Sequence, residues 1–219
     1  MAPSNEVNEY GPRPRYRGVS HRIAFHVSLV AGGILVFCAE QGRARQAAVV
    51  YAVFLAAMFG VSATLHRAAW GGRTYGWLRR ADHAAIFACI AGTYTPFALL
   101  GLGGEPGTRL LWAAWIVCGA GMLRALLWPH APRAITAVCF VAAGWVVLAY
   151  LPEFYAATDA TSFGLIVGGG ALFTLGAVIY LVRWPDPSPD VFGYHEVFHL
   201  MIIVACSLHF AAVARLVTR

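Results

Sequence analysis

The chain has 219 residues, of which 59% are hydrophobic and only 12% are charged. Soluble domains are nearer half apolar and about a quarter charged, so this composition excludes a soluble globular domain and predicts a polytopic membrane protein. All sixteen basic residues are arginine, and the formal net charge is +6. We attribute this charge to membrane topology and to anionic lipids at one membrane face. Nothing in the sequence is typical of a nucleic-acid-binding module.

Seven apolar segments approach or exceed the roughly 20 residues that a helix needs to cross a bilayer. They cover residues 22–38, 47–66, 82–102, 108–128, 134–151, 162–182 and 196–214. The connections are short, so we predict an all-α fold with one seven-helix transmembrane domain over residues 20–219. Residues 1–19 are polar and contain three prolines. We expect them to form a disordered cytoplasmic tail without a cleavable signal peptide.

The arginines are distributed unevenly between the two predicted membrane faces. Eleven fall on the side of the N-terminus and five on the opposite side when each is assigned to its nearest loop. The positive-inside rule then predicts a cytoplasmic N-terminus and, with seven spans, a C-terminus outside. Trp70, Tyr75, Trp77, Arg79 and Arg80 precede the third span and combine aromatic rings with cations. That mixture favours the headgroup layer, so we expect this stretch along the cytoplasmic interface.

Prolines predict two irregular places in the helices. Pro96 lies inside the third span, where it removes a backbone hydrogen bond and should kink the helix. The segment 184–190 holds three prolines alternating with turn residues and cannot be helical. We expect this segment to act as the hinge that leads into the seventh span.

Three histidines are predicted to meet at one membrane face. His195 and His199 are four residues apart at the start of the seventh span, and His66 closes the second. Ends of even-numbered spans and starts of odd-numbered spans lie on the same side of the membrane. Side chains four apart share one helix face, so all three imidazoles could reach one ion. Three protein ligands with an open fourth position are typical of catalytic zinc, although the histidines could instead only hydrogen-bond between helices.

Two further polar residues are candidates for the same site. Asp82 opens the predicted third span and could act as general base toward a water molecule activated by zinc. It could instead simply cap the helix. Ser62, one turn before His66, could hydrogen-bond that water or a developing oxyanion. Its alternative is a hydrogen bond to the carbonyl four residues earlier in its own helix.

The segment 195–199 also fits the HExxH signature, in which the glutamate is the general base of a metalloprotease. A protease of this kind normally has a further ligand downstream, and the sole later histidine, His209, lies almost three turns further along. We therefore interpret Glu196 as an acid in the first turn of a helix, with support of His199 as a lesser possibility. His209 is predicted to be a hydrogen-bonded core residue. The remaining histidines, His21, His26, His83 and His130, are placed outside the ligand set.

Four ordered motifs closely resemble the hemolysin III family. They are SATLH at 62–66, RRADHAAIF at 79–87, AGTYTPF at 91–97, and HEVFH at 195–199 with LHF at 208–210. That family is grouped with the progestin and adiponectin receptors and, more remotely, with the alkaline ceramidases. The similarity extends over essentially all seven predicted helices. His21 resembles the family's histidine before the first span, although the glycine expected soon after it is missing.

This resemblance implies seven helices, a cytoplasmic N-terminus and zinc near the cytoplasmic end. It implies that His66, His195 and His199 are the ligands and that Ser62 and Asp82 are the polar partners of the metal-activated water. Relatives in the superfamily hydrolyse the amide bond of ceramide, and bacterial members are linked to membrane lipid homeostasis or, by name, to haemolysis. The resemblance therefore favours an integral protein of a bacterial plasma membrane.

From these observations we expect a zinc-dependent membrane hydrolase of a lipid amide or ester bond, with a membrane lipid as substrate. The alternative is a non-enzymatic membrane sensor or regulator, in which Zn²⁺ locks helix ends together. An intramembrane HExxH protease and a hemolysin-type pore former are weaker alternatives, the latter because no charged stripe follows one helix face. The sequence leaves the lipid substrate and the oligomeric state open.

Overall fold

The computed structural model describes residues 14–218, and within that range the chain is helical with short connections. Its helices are α1 (Val19–Cys38), α2 (Arg43–Arg67), α3 (Gly72–Pro96), α4 (Gly104–Leu127), α5 (Arg133–Gly144), α6 (Leu151–Ala157), α7 (Ala160–Val182) and α8 (Tyr194–Val217). A π-helical turn, Phe97–Leu102, extends α3, and a 3₁₀ turn, Val146–Tyr150, joins α5 to α6. Seven helical segments are long and apolar enough to cross a membrane, the fifth being α5 and α6 together. The predicted all-α, seven-span fold is confirmed.

The start of the last helix is enclosed by protein. Helix α8 packs along α7 and also contacts α1, α2 and α3. Large apolar side chains on the outer surface, such as Phe37 and Leu127, are more than four-fifths exposed. Such exposure is costly in water but not in lipid, which is as apolar as a protein core. Residues at the start of α8 are therefore surrounded by protein rather than by lipid.

Helix α3 begins ten residues earlier than its apolar run predicts, at Gly72 rather than at Asp82. Hydropathy marks only the apolar part of a helix, whereas the backbone stays helical through the preceding polar turns. Gly71, just before the helix, is extended at φ −64° and ψ 153°. Asp82 thus lies about 15 Å inside the helix at 1.5 Å per residue. The alternative that Asp82 caps the third span is wrong.

The interruption expected at Pro96 is present and takes the form of a π-helical turn. Regular α-helix ends at Pro96, and the following six residues form the wider π-helical turn. Proline has no backbone N–H to donate within the helix, so the hydrogen-bond ladder must change at this point. Gly103 and Gly104 follow at φ 63° and 53°, a left-handed conformation that suits glycine. They turn the chain directly into α4.

The fifth span is interrupted in its middle, and a single tyrosine hydroxyl hydrogen-bonds to the backbone groups left without helical partners there. Between α5 and the 3₁₀ turn, the hydroxyl of Tyr94 donates to the carbonyl of Gly144 at 2.6 Å. The same hydroxyl accepts the backbone N–H of Val147 at 3.1 Å. Backbone groups freed within a membrane must find partners inside the protein. Helix α3 therefore supplies the partner that lets the fifth span bend.

The connection between α7 and α8, residues 183–193, is non-helical, as its prolines predict. The segment just before α1 lies against it. Backbone N–H groups of residues 15 and 16 donate to the carbonyls of residues 190 and 191, at 2.9 and 3.1 Å. Of the predicted tail, residues 1–13 lie outside the described range, whereas residues 14–18 pack against this connection and the helix ends beside it.

Candidate metal site

The structure brings the three predicted histidine ligands together at one end of the bundle. His66 lies in the last turn of α2, and His195 and His199 lie one turn apart at the start of α8. One ring nitrogen from each lies within 4.8 Å of the others. The three side chains are 6%, 2% and 2% exposed. The cluster is therefore a buried group of three imidazoles from two helices.

The donor set fits a transition-metal ion. Zinc bonds to imidazole nitrogen at about 2.1 Å, so tetrahedral ligands stand roughly 3.4 Å apart, a spacing that small ring rotations would reach. The Nδ1 atom of His199 is buried and has no hydrogen-bond partner among residues 14–218. Buried polar atoms without a partner are uncommon and call for an explanation such as an ion. No fourth His, Cys, Asp or Glu joins this group within the described range, which would leave one coordination position open.

Asp82 and Ser62 lie beside this cluster and contact each other. Both side chains are buried, at 7% and 4% exposure. The hydroxyl of Ser62 lies close enough to the carboxyl of Asp82 to interact with it. Ser62 thus uses its hydroxyl toward side chains of the site, rather than only toward its own helix as the alternative interpretation held. The structure places the two candidate residues as one unit next to the histidines.

His21 belongs to the site, although the sequence analysis placed it outside the ligand set near the interface. Its ring stacks on that of His199, with centroids 3.7 Å apart and an interplanar angle of 9°. Its Nδ1 lies 2.8 Å from the hydroxyl oxygen of Ser62. The signal was available, because α1 starts at the same end of the bundle as α3 and α8. His21 is not one of the three clustered ligands but contacts one of them and Ser62.

The hydrogen bonds of Ser62 impose an order on the protons. A hydroxyl carries one proton and can donate it to one acceptor at a time. A carboxylate at Asp82 can only accept, so a Ser62 hydroxyl that donates to it would accept from the Nδ1–H of His21. A neutral His21 ring would then carry its proton on Nδ1. His21, Ser62 and Asp82 would form a directed chain of hydrogen bonds.

Both carboxylate oxygens of Glu196, the glutamate of the HExxH match, are engaged by other protein groups. Its Oε1 lies 2.7 Å from Nε of Arg17 in an ion pair that is almost fully buried. Its Oε2 accepts the backbone N–H of Gly193 at 2.9 Å, immediately before α8. The prediction of a first-turn helix acid is confirmed. The ion pair to Arg17 was not predicted, because nothing in sequence spacing links residues 179 positions apart.

A short segment covers the metal cluster from its end of the bundle. Gly18 has φ +73°, and a Cβ atom there would lie 2.8 Å from the Cβ of His66. Only glycine allows the chain to pass so close to the ligand in this conformation. Together with the Arg17–Glu196 pair, residues 14–18 therefore close the histidine cluster off at this end.

An apolar cavity of about 160 Å³ leads away from the cluster toward the middle of the bundle. Its walls come from α2, α3, α5, α7 and α8, and the polar residues Ser62, Asp82 and the three clustered histidines lie at one end. His209 lies at the other, where its Nε2 is 3.0 Å from the carbonyl oxygen of Ile166. The predicted hydrogen bond of His209 is present, and the side chain is half-buried rather than fully in the core. The cavity combines one polar end with a mostly apolar lining.

Comparison with known proteins gives a consistent family assignment. The model of the family described as Haemolysin-III related matches residues 10–210. Hemolysin-3 of Bacillus cereus is 26% identical over 197 residues, covering 89% of this chain and 87% of the relative. The Hemolysin-3 homolog of Bacillus subtilis is 26% identical over 188 residues, covering 84% and 85%. Human monocyte to macrophage differentiation factor is 21% identical over 204 residues, covering 89% and 80%, and supports the link to the receptor superfamily.

The matched region includes the seven spans almost completely, together with every residue of the candidate site. The spans and the bacterial relatives agree on an integral protein of the plasma membrane. The chain belongs to the haemolysin-III related family.

Proposed function

We propose that this protein is a zinc-dependent membrane hydrolase that cleaves an amide or ester bond of a lipid. The observation that carries the proposal is the position of three clustered imidazoles beside a Ser–Asp pair at the polar end of an apolar cavity. If the carbonyl of a lipid amide or ester lies at the polar end of the cavity, the attached acyl chain extends into the apolar part of the cavity. A lipid is therefore the substrate class that the cavity favours.

Zinc bound to His66, His195 and His199 would supply a Lewis acid that polarises the carbonyl and acidifies water. Asp82 accepts the proton of the attacking water and later returns it to the leaving group. Once Asp82 has been protonated, it is a weaker hydrogen-bond acceptor. The hydroxyl of Ser62 can then donate to the oxyanion instead. His21 keeps Ser62 oriented throughout through its Nδ1–H.

The charge distribution supports a cytoplasmic location for this end of the bundle. Eleven of sixteen arginines belong to the N-terminal side, where α1, α3, α5 and α8 begin. The positive-inside rule puts that side in the cytoplasm. We infer that the metal site faces the cytoplasmic leaflet and that the C-terminus lies outside.

The HExxH protease alternative requires Glu196 to act as a base at the metal. Its two oxygens are instead engaged by Arg17 and by the N–H of Gly193. A carboxylate held in this way supports the start of α8 rather than the reacting water. The contacts favour the lipid hydrolase over the protease.

One observation favours the regulator as a second candidate. All three histidines are at most 6% exposed, and the chain at Gly18 packs directly against His66 and covers it. In that case zinc would tie α2 to α8 without turnover. Asp82 would then be dispensable, whereas the ligands would not.

Asp82→Asn separates the two functions. We expect the purified variant in proteoliposomes to retain about one zinc per chain and to release fatty acid from a panel of ceramides and acyl lipids about 10²- to 10⁴-fold more slowly than wild type. Glu105→Gln, an exposed acid at the opposite end, is the matched control and should behave as wild type. Retained zinc with an unchanged lipid composition and membrane phenotype would support the regulator and exclude the hydrolase.

A further inference from the structure

A second pocket lies at the same end of the bundle, outside the metal site. It has a volume of about 520 Å³ and lies between the first turns of α3 and the connection from α4 to α5. Its lining residues are Gly72, Arg73, Tyr75, Gly76, Trp77, Arg79, Arg80, Pro129 and His130. None of them is acidic. The pocket is therefore large enough for a small polar group and carries three cationic side chains.

The arginines of this pocket are held differently from one another. Arg79 is mostly buried and donates to the carbonyl of Pro129, which fixes the two walls together. Arg80 stacks its guanidinium over the ring of Trp77 at 4.8 Å, and its buried Nε has no hydrogen-bond partner within residues 14–218. Arg73 is exposed. Two guanidinium groups thus remain available for an anion.

Two other arginines at this end, Arg133 and Arg17, are already occupied by protein groups. Arg133 donates to the carbonyl of Tyr180 at 2.6 Å and stacks over that ring at 4.4 Å. Arg17 pairs with Glu196. Arg133 and Arg17 stabilise contacts within the protein, whereas the side chains of Arg73 and Arg80 line an open pocket. The difference separates a binding site from the general positive charge of this membrane face.

The pocket also lies where lipid headgroups are expected, at an end of the membrane-spanning helices. It surrounds the start of one membrane-spanning helix and the connection between two others. Trp77 is 59% exposed beside it, and indole rings favour the membrane interface. Helix α3 begins without an acidic residue in its first turn or a side-chain cap, so its positive dipole end adds to the attraction for anions.

We propose that this pocket binds the phosphate group of an anionic phospholipid headgroup. Arg73 and Arg80 donate charge-assisted hydrogen bonds to the phosphate oxygens, and Trp77 lies against the adjoining glycerol and acyl region. The shared chemistry is a phosphate ester, and inorganic phosphate is the soluble species that could use the same contacts. This site is independent of the metal and of the proposed hydrolysis.

Native mass spectrometry of the full chain in detergent tests the proposal, with phosphatidylglycerol, phosphatidylcholine and inorganic phosphate as ligands. We expect one phosphatidylglycerol per chain to bind in preference to phosphatidylcholine, and Arg80→Gln to weaken that binding about tenfold. Gly76→Leu leaves the charge unchanged and should also weaken binding, because a side chain there enters open space in the pocket. Zinc content and melting temperature should not change in either variant.

Arg22→Gln is the matched control, since Arg22 is an exposed arginine near the start of α1 at the same end. It should bind phosphatidylglycerol as wild type does. Equal binding of the two lipids would overturn the proposal, because it would show no preference for an anionic headgroup. Equal weakening by Arg22→Gln and Arg80→Gln would overturn it in favour of diffuse surface charge. Displacement of the lipid by inorganic phosphate, lost in Arg80→Gln, would support the phosphate site and identify a soluble ligand as a second occupant.

Discussion

His199 and His209 both lie in α8, ten residues apart, but His199 is buried among histidines whereas His209 is half-buried among aromatic rings. His209 bonds to a backbone carbonyl and packs against Phe97 and Phe173, with ring centroids 5.7 and 5.4 Å away. His199 lies among other imidazoles, and its Nδ1 has no hydrogen-bond partner in the described part of the chain. A histidine with a bonded nitrogen and aromatic neighbours needs no ligand, whereas a buried cluster of histidines with an unbonded ring nitrogen calls for one.

The largest expected effect is on metal content. His199→Ala should reduce bound zinc from about one per chain to less than a tenth, because two ligands from two helices hold the ion poorly. His209→Leu should leave zinc content unchanged. Elemental mass spectrometry on protein purified without chelator measures both. Loss of zinc from both variants, or from neither, would remove the distinction between the two histidines.

A second, smaller effect is expected on catalysis from His21. His21→Phe keeps a ring against His199 but loses the hydrogen bond to Ser62, so turnover should fall about ten- to hundredfold with zinc retained. His21→Asn can place an amide N–H near the position of Nδ1 and should restore much of the activity. Steady-state rates of fatty acid release, compared at equal zinc content, provide the measurement. If the Phe and Asn variants were equally slow, the hydrogen bond to Ser62 alone would not account for the role of His21.

The smallest expected effect is on stability at His209. His209→Leu removes the hydrogen bond to the Ile166 carbonyl while keeping an apolar side chain in the cavity wall. We expect a loss of about 0.5–1.5 kcal/mol, the usual net contribution of one such bond. Thermal unfolding in detergent should show a decrease of a few degrees. An unchanged melting temperature would mean that the bond contributes nothing beyond packing.

Sequence patterns predicted the seven spans and the histidine cluster because both depend on spacing along helices. Apolar runs set the spans, and residues four apart share a face, so His195 and His199 could be joined to His66 by counting helix ends. The start of α3 was missed because hydropathy does not detect polar turns that continue a helix. Asp82 was consequently assigned a possible capping role that its position inside α3 excludes.

The contacts of His21 and Glu196 could not be predicted for a different reason. Ser62 lies 41 residues from His21, and Arg17 lies still further from Glu196, so no local period connects them. They depend on how α1 and the segment before it pack onto α2 and α8. The volume and direction of the cavity likewise depend on packing and on where the fifth span breaks.

The hydroxyl of Tyr94 connects the interruption of the fifth span to the shape of the cavity. One oxygen holds the carbonyl of Gly144 and the N–H of Val147, two residues that also line the cavity. Without that oxygen, α5 would be free to continue as one regular helix and to draw this wall along with it. In the proposed hydrolase, the length of acyl chain that the cavity accepts would then depend on a residue that bonds to backbone, so chain-length preference could evolve without any change at the metal site.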